Sequence, residues 1–122
     1  MKNSTQLAKI LLLSTASTCF ASSGTGEYEL PWPHKNEILM YHSCGCADSC
    51  WVAEVRERKT KKVLNRLSCD CTSLSYSKNG RKRDAPIHES CEAMNESANK
   101  AGLIKSKIEQ LRTRTAKMQQ NH

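Results

Sequence analysis

The cysteines constrain this chain more than any other feature. Five of the seven lie between Cys44 and Cys71, in two tight groups: Cys44, Cys46 and Cys50, then Cys69 and Cys71. Between the groups, Trp51, Ala53 and Val55 alternate with Val52, Glu54 and Arg56, the period of a strand with one apolar face. Arg58 to Lys62 is wholly polar and suits a hairpin tip. Val63 to Leu67 then resumes the apolar content and leads into Cys69. A tip near Lys59–Lys61 places Cys50 opposite Cys69 or Cys71, and a bond from Cys50 to one of these is the expectation. Residues two apart on a strand share a face, so Cys44 and Cys46 should point one way together, as should Cys69 and Cys71. Neither pair is expected to bond internally, because same-face neighbours hold their Cβ atoms too far apart. Cys91 should tie the C-terminal helix to the sheet through Cys44, Cys46 or whichever of Cys69 and Cys71 is left over.

The beginning of the chain has the order of an export signal. Met1 to Lys9 carries Lys2 and Lys9 and no acid, Ile10-Leu11-Leu12-Leu13 opens a short apolar run that continues, diluted by Ser and Thr, to Phe20, and Ala21 could stand just before a cleavage point. The run is too short to span a bilayer, so no transmembrane span is expected after processing. Removal of residues 1–21 would take away Lys2, Lys9 and Cys19. It would leave 17 basic against 12 acidic residues and six cysteines, an even number that suits a disulfide framework in an oxidising compartment. Ala16-Ser17-Thr18-Cys19 also resembles a bacterial lipoprotein cleavage box, in which Cys19 would be lipidated. It departs from that box at Thr18 and in lacking the usual Leu.

Residues 22–36 read as a flexible leader containing Pro31, Trp32 and Pro33, with Trp32 either plugging the domain surface or exposed as a contact. Residues 37–122 read as a single disulfide-stabilised domain. Ile38 to Tyr41 suits a first strand, and Leu74 and Tyr76, alternating with serines, a further one. Asn79-Gly80 is a strong turn signal, but no alternating strand follows it, so Lys78 to Asp84 reads as a loop. From Ile87 through Cys91, Met94, Ala98, Ala101, Ile104, Ile108 and Leu111 to Met118, the apolar spacing is three and four, one face of a long helix. Asp84 would cap it, Pro86 would sit in its first turn, Glu96 would pair with Lys100, and Gly102 is where it would break. The expected fold is α+β: a small antiparallel sheet of about three strands, cross-linked by disulfides at Cys44, Cys46, Cys50, Cys69, Cys71 and Cys91, followed by a long C-terminal amphipathic helix.

Four chemistries can be weighed. His42, Cys44, Cys46 and Cys50 form a Cys/His cluster that could serve a cell-envelope metal-handling protein, although the spacing matches no zinc motif and a disulfide framework competes for the thiols. Redox catalysis of the thioredoxin kind would need CxxC within a βαβ pattern, and neither is present. His88-Glu89-Ser90-Cys91-Glu92 begins like a zinc-protease helix, but Glu92 stands where the second ligand His belongs, so a hydrolase using His88 and Glu89 lacks its motif. No cofactor is expected.

The fourth is positive charge. Arg56, Arg58, Lys59, Lys61 and Lys62 crowd the hairpin tip, and Arg81, Lys82 and Arg83 follow the Asn-Gly turn. Nucleic acid is the less favoured partner, because no aromatics interleave with these basics. The reading is therefore a periplasmic or secreted binding protein, not a catalyst, whose basic hairpin meets an extracytoplasmic protein or acidic polymer.

Overall fold

A computed structural model of the chain describes residues 26–79 and 84–120. The segment 1–21, including Cys19, lies outside the described residues, as do Arg81, Lys82 and Arg83. The architecture is α+β, and the sheet is larger than the expected three strands. Six antiparallel strands run in chain order, β1 (Tyr28–Leu30), β2 (Glu37–Gly45), β3 (Cys50–Glu57), β4 (Val63–Asp70), β5 (Ser73–Lys78) and β6 (Ala85–Ser90). Two helices follow, α1 (Glu92–Glu96) and α2 (Lys100–Gln120). Among the described residues no helix is long and apolar enough to cross a membrane.

Two of the additional strands are the edge strands. β1 is three residues long and pairs Tyr28, Glu29 and Leu30 with Tyr41, Met40 and Leu39. It lies inside the segment 22–36 that the sequence sets apart as a leader. Three residues cannot display a period; the strand forms because β2 offers it an unpaired backbone edge. β6 replaces the expected first turns of the helix. It carries Pro86, which an edge strand tolerates because its missing N–H can face away from the ladder. Its register slips between Ser73 and Ser75 of β5. Asp84, expected as a helix cap, instead accepts Ser68 Oγ at 3.0 Å and Arg66 at 3.4 Å.

One sheet face is apolar and covered. Leu39 and Tyr41 of β2, Trp51, Ala53 and Val55 of β3, Leu67 and Cys69 of β4, and Leu74 and Tyr76 of β5 line it, packed with Ile104, Ile108 and Leu111 of α2. Ile104, Ile108 and Leu111 are the expected helical stripe, and Trp51 and Ile108 are fully buried. Each such side chain stabilises the fold by about 1.5–3 kcal/mol relative to exposure. The helix breaks at Ser97, whose backbone is extended, and not at Gly102. Gly102 lies within α2, where the Asn99 side chain folds over it; a Cβ there would stand 2.5 Å from Asn99 Nδ2.

All six of the cysteines in the described residues are oxidised, as Cys44–Cys50, Cys46–Cys71 and Cys69–Cys91. The expected bond from Cys50 to Cys69 or Cys71 is not the one formed. The register places Cys50 opposite Asp70 and Trp51 opposite Cys69. Cys69 therefore shares the covered face with Trp51, where it meets Cys91 at the start of α1, while Cys50 alternates to the other face. Nor do the CxC partners point together. Gly45 and Cys46 leave the strand at φ 122° and 52°, and Cys71 leaves β4 at φ 86°. Strand alternation ends at those residues, so Cys46 and Cys71 turn toward each other.

Candidate interaction surface

The basic residues singled out at the hairpin separate into two sets once the strands are registered. Arg56 is on the face of β3 opposite the core. It donates to Glu54, its neighbour but one on the strand, at 3.1 Å, and pairs with Glu27 ahead of β1. Glu54 also accepts Arg66 Nε at 3.0 Å. Burial pushes the Glu54 carboxyl up, but the hydrogen bonds and charges of Arg56 and Arg66 outweigh it and hold it below the ordinary carboxylate range. Arg56 is thus consumed by the sheet. Arg58 is also committed: its guanidinium donates to the carbonyls of Lys35 and Glu37 at 3.0 and 3.2 Å, and its own backbone N–H donates to Asn36 at 2.8 Å. It ties the loop before β2 to the base of the hairpin.

Lys59, Lys61 and Lys62 form the second set. The turn is closed by Glu57 N to Lys62 O and by Lys61 N to Glu57 O, both 2.8 Å, and Lys62 N is capped by Thr60 Oγ1 at 3.2 Å. Lys61 sits at φ 64°, the left-handed position that lets a short loop reverse. All three lysines are exposed. Among the described residues, none of the three is held in an ion pair. Beside them lies a cleft of about 440 Å³ lined by Asn36, Glu37, Glu57, Arg58, Lys59 and Leu64.

The other candidate residues are placed as follows. Cys44, Cys46 and Cys50 spend their sulfurs on disulfides, so the metal reading would need bonds opened that this structure holds closed. Among the described residues no cluster of three or more His, Cys, Asp or Glu could hold a metal ion. His88 and Glu89 alternate across β6: His88 is exposed at φ 58°, while Glu89 accepts Lys107 Nζ at 2.6 Å. Asn95 of α1, half-buried, accepts the indole N–H of Trp51 at 2.8 Å. Lys100 pairs not with Glu96 but with Asp48, at 3.2 Å, and lies over the rings of Tyr41 and Trp51 at 5.4 and 5.5 Å. Trp32 is a half-buried plug, its indole N–H donating to Glu37 at 3.0 Å.

The structural roles of Arg56, Arg58 and Asn95 were not legible in the sequence. Their partners Glu27, Lys35 and Trp51 lie 29, 23 and 44 residues away. Comparison with protein-family models finds no match, and no curated protein or solved structure matches the chain.

Proposed function

We propose that the protein is a small exported, disulfide-stabilised binding protein. Lys59, Lys61 and Lys62 meet an acidic extracytoplasmic protein or acidic polymer. The observation that carries this reading is the division of labour at the hairpin. Arg58 anchors its base, while three adjacent lysines on a closed turn have no ion-pair partner among the described residues. A rigid turn presents charge with little ordering cost on binding. Three disulfides suit an oxidising compartment, which agrees with the export signal read at residues 1–21. Arg81, Lys82 and Arg83, which follow Asn79-Gly80 in the sequence, would add to the same charge class.

The test uses the mature chain, starting at Ser22, against immobilised polyglutamate and an anionic polysaccharide at low and high salt. Salt-sensitive binding that falls about tenfold or more in the variant Lys59→Glu, Lys61→Glu, Lys62→Glu supports the reading. Binding unchanged by the three reversals sinks it.

A further inference from the structure

Left-handed backbone collects around one disulfide. Cys46, Ala47 and Asp48 stand consecutively at φ 52°, 51° and 72°, and Cys71 stands at 86°. None of the four is glycine, and in each the Cβ crowds the following carbonyl. A run of three such residues persists only when its surroundings over-determine it. The surroundings here can be named. The Cys46–Cys71 bond holds one end of the turn. Asp48 holds the other, accepting Tyr41 Oη at 2.7 Å and Lys100 Nζ at both its carbonyl (2.7 Å) and its carboxylate (3.2 Å).

The other two bonds are situated differently. Cys69 and Cys91 are 1% and 0% exposed, so no external thiol reaches them in the folded chain. Cys44 is exposed, as Cys46 is, and sits at the bulge between Ser43 and Gly45, but it and Cys50 belong to neighbouring strands, with Gly45 registered opposite Cys50, the two Cα atoms 4.9 Å apart, and neither cysteine in the left-handed region. If that bond opens, the pairing of Ser43 with Trp51 and of Gly45 with Cys50 on either side keeps the two backbones close. Cys46 and Cys71 both lie outside the strands, in the turns after β2 and β4, and Cys46 is exposed, so no ladder pairing spans the two residues once the bond is gone.

We propose that Cys46–Cys71 is a thiol-exchange site, the bond that an external dithiol opens while the fold stays assembled. One thiolate of the dithiol attacks Cys46 Sγ, forming a mixed disulfide and expelling Cys71 as a thiolate. The second thiolate of the dithiol then attacks its own partner sulfur, closing the dithiol into a disulfide and releasing Cys46. Two electrons pass from the dithiol to the two cysteines, which take up the two protons the dithiol gives up. Exposure favours this bond over Cys69–Cys91, and the left-handed backbone at both of its cysteines favours it over Cys44–Cys50. Opening it frees the turn that carries Asp48, so Lys100 at the start of α2 and the stacked pair Tyr41–Trp51 feel the change.

The experiment exposes the full mature chain to graded dithiothreitol, quenches it with an alkylating reagent and maps the modified cysteines by peptide mass. Cys46 and Cys71 are expected to be alkylated at a reductant concentration about tenfold below that needed for Cys69 and Cys91. A shift in tryptophan emission should accompany their alkylation. Prior or simultaneous alkylation of Cys44 and Cys50, or of all six in one transition, overturns the proposal. Ala47→Gly removes one strained residue without touching a sulfur. It should raise the reductant concentration needed by about five-fold; an unchanged requirement overturns the role assigned to the turn.

Discussion

Arg112 of α2 donates two hydrogen bonds to the carboxylate of Glu37 on β2, at 2.9 and 3.0 Å. The same carboxylate accepts the indole N–H of Trp32, and the Arg112 guanidinium lies 5.7 Å from the centre of that ring. Helix, sheet and the proline-flanked tryptophan are therefore joined at one side chain. Arg112→Met should lower stability by about 2 kcal/mol, read as a lower urea midpoint at unchanged slope. Arg112→Lys should recover only part of the loss, because an ammonium cannot make the two-pronged contact.

Acid should unfold the protein through Glu37 and Glu54. Burial raises both carboxyls, but Arg112 and Trp32 on one, and Arg56 and Arg66 on the other, bring them below the ordinary value of 4.5. Asp48 is lowered in the same way by Tyr41, Ser43 and Lys100 against its own burial. A depressed folded pKa means that the unfolded chain takes up protons first as pH falls. The stabilisation is complete above the unfolded carboxylate range and is lost as pH drops through the folded pKa values. Urea midpoints should hold steady from pH 8 to about 5.5 and fall below about pH 4.5. The pair Glu37→Gln, Glu54→Gln should be less stable at neutral pH and flatter in acid.

The hairpin arginines and lysines should part company in stability measurements. Arg58→Ala leaves two backbone carbonyls without their donor and Arg56→Ala leaves Glu54, itself buried, with one arginine fewer. Each should cost about 1–2 kcal/mol. Alanine at Lys59, Lys61 or Lys62 should stay within about 0.5 kcal/mol of the parent. Thermal melts of the five single variants separate the two sets and show which charges can be removed without harming the fold.

Asn95→Ala should cost about 1–3 kcal/mol, because the buried indole N–H of Trp51 then has no acceptor in the interior. Near-ultraviolet circular dichroism should change with it, since Trp51 stacks on Tyr41 at 6.1 Å.

Removing the buried bond by Cys69→Ala with Cys91→Ala should cost about 3 kcal/mol, the effect of freeing a loop closed over 22 residues. Calorimetry of this double variant beside the parent measures it.

What could be read along the chain was whatever repeats with a local period. Trp51, Ala53 and Val55 alternate strictly, and β3 and its hairpin with β4 were expected from that. Ile104, Ile108 and Leu111 follow one helical face, and α2 packs through them. Ile87, Cys91 and Met94 continue the same spacing by coincidence. Ile87 belongs to β6, and Cys91 and Met94 lie before the extended residue Ser97, so the helix starts later than the spacing suggests. β1 has too few residues to show a pattern.

By itself the sequence determined that six cysteines beyond the first twenty-one residues could pair completely, that a charged hairpin separates two groups of them, and that an amphipathic helix ends the chain. Only the tertiary structure decided which cysteine meets which and which basic residues are spent. Those outcomes depend on strand register, on the faces that register assigns, and on left-handed backbone at Cys46 and Cys71. Register is set by how each strand meets its neighbour, by the turns that join them and by the bulges between Ser43 and Gly45 and between Val55 and Arg56. No local pattern records it, so of Arg56 and Lys59, three residues apart on one hairpin, the first is ion-paired and the second is exposed with no ion pair among the described residues.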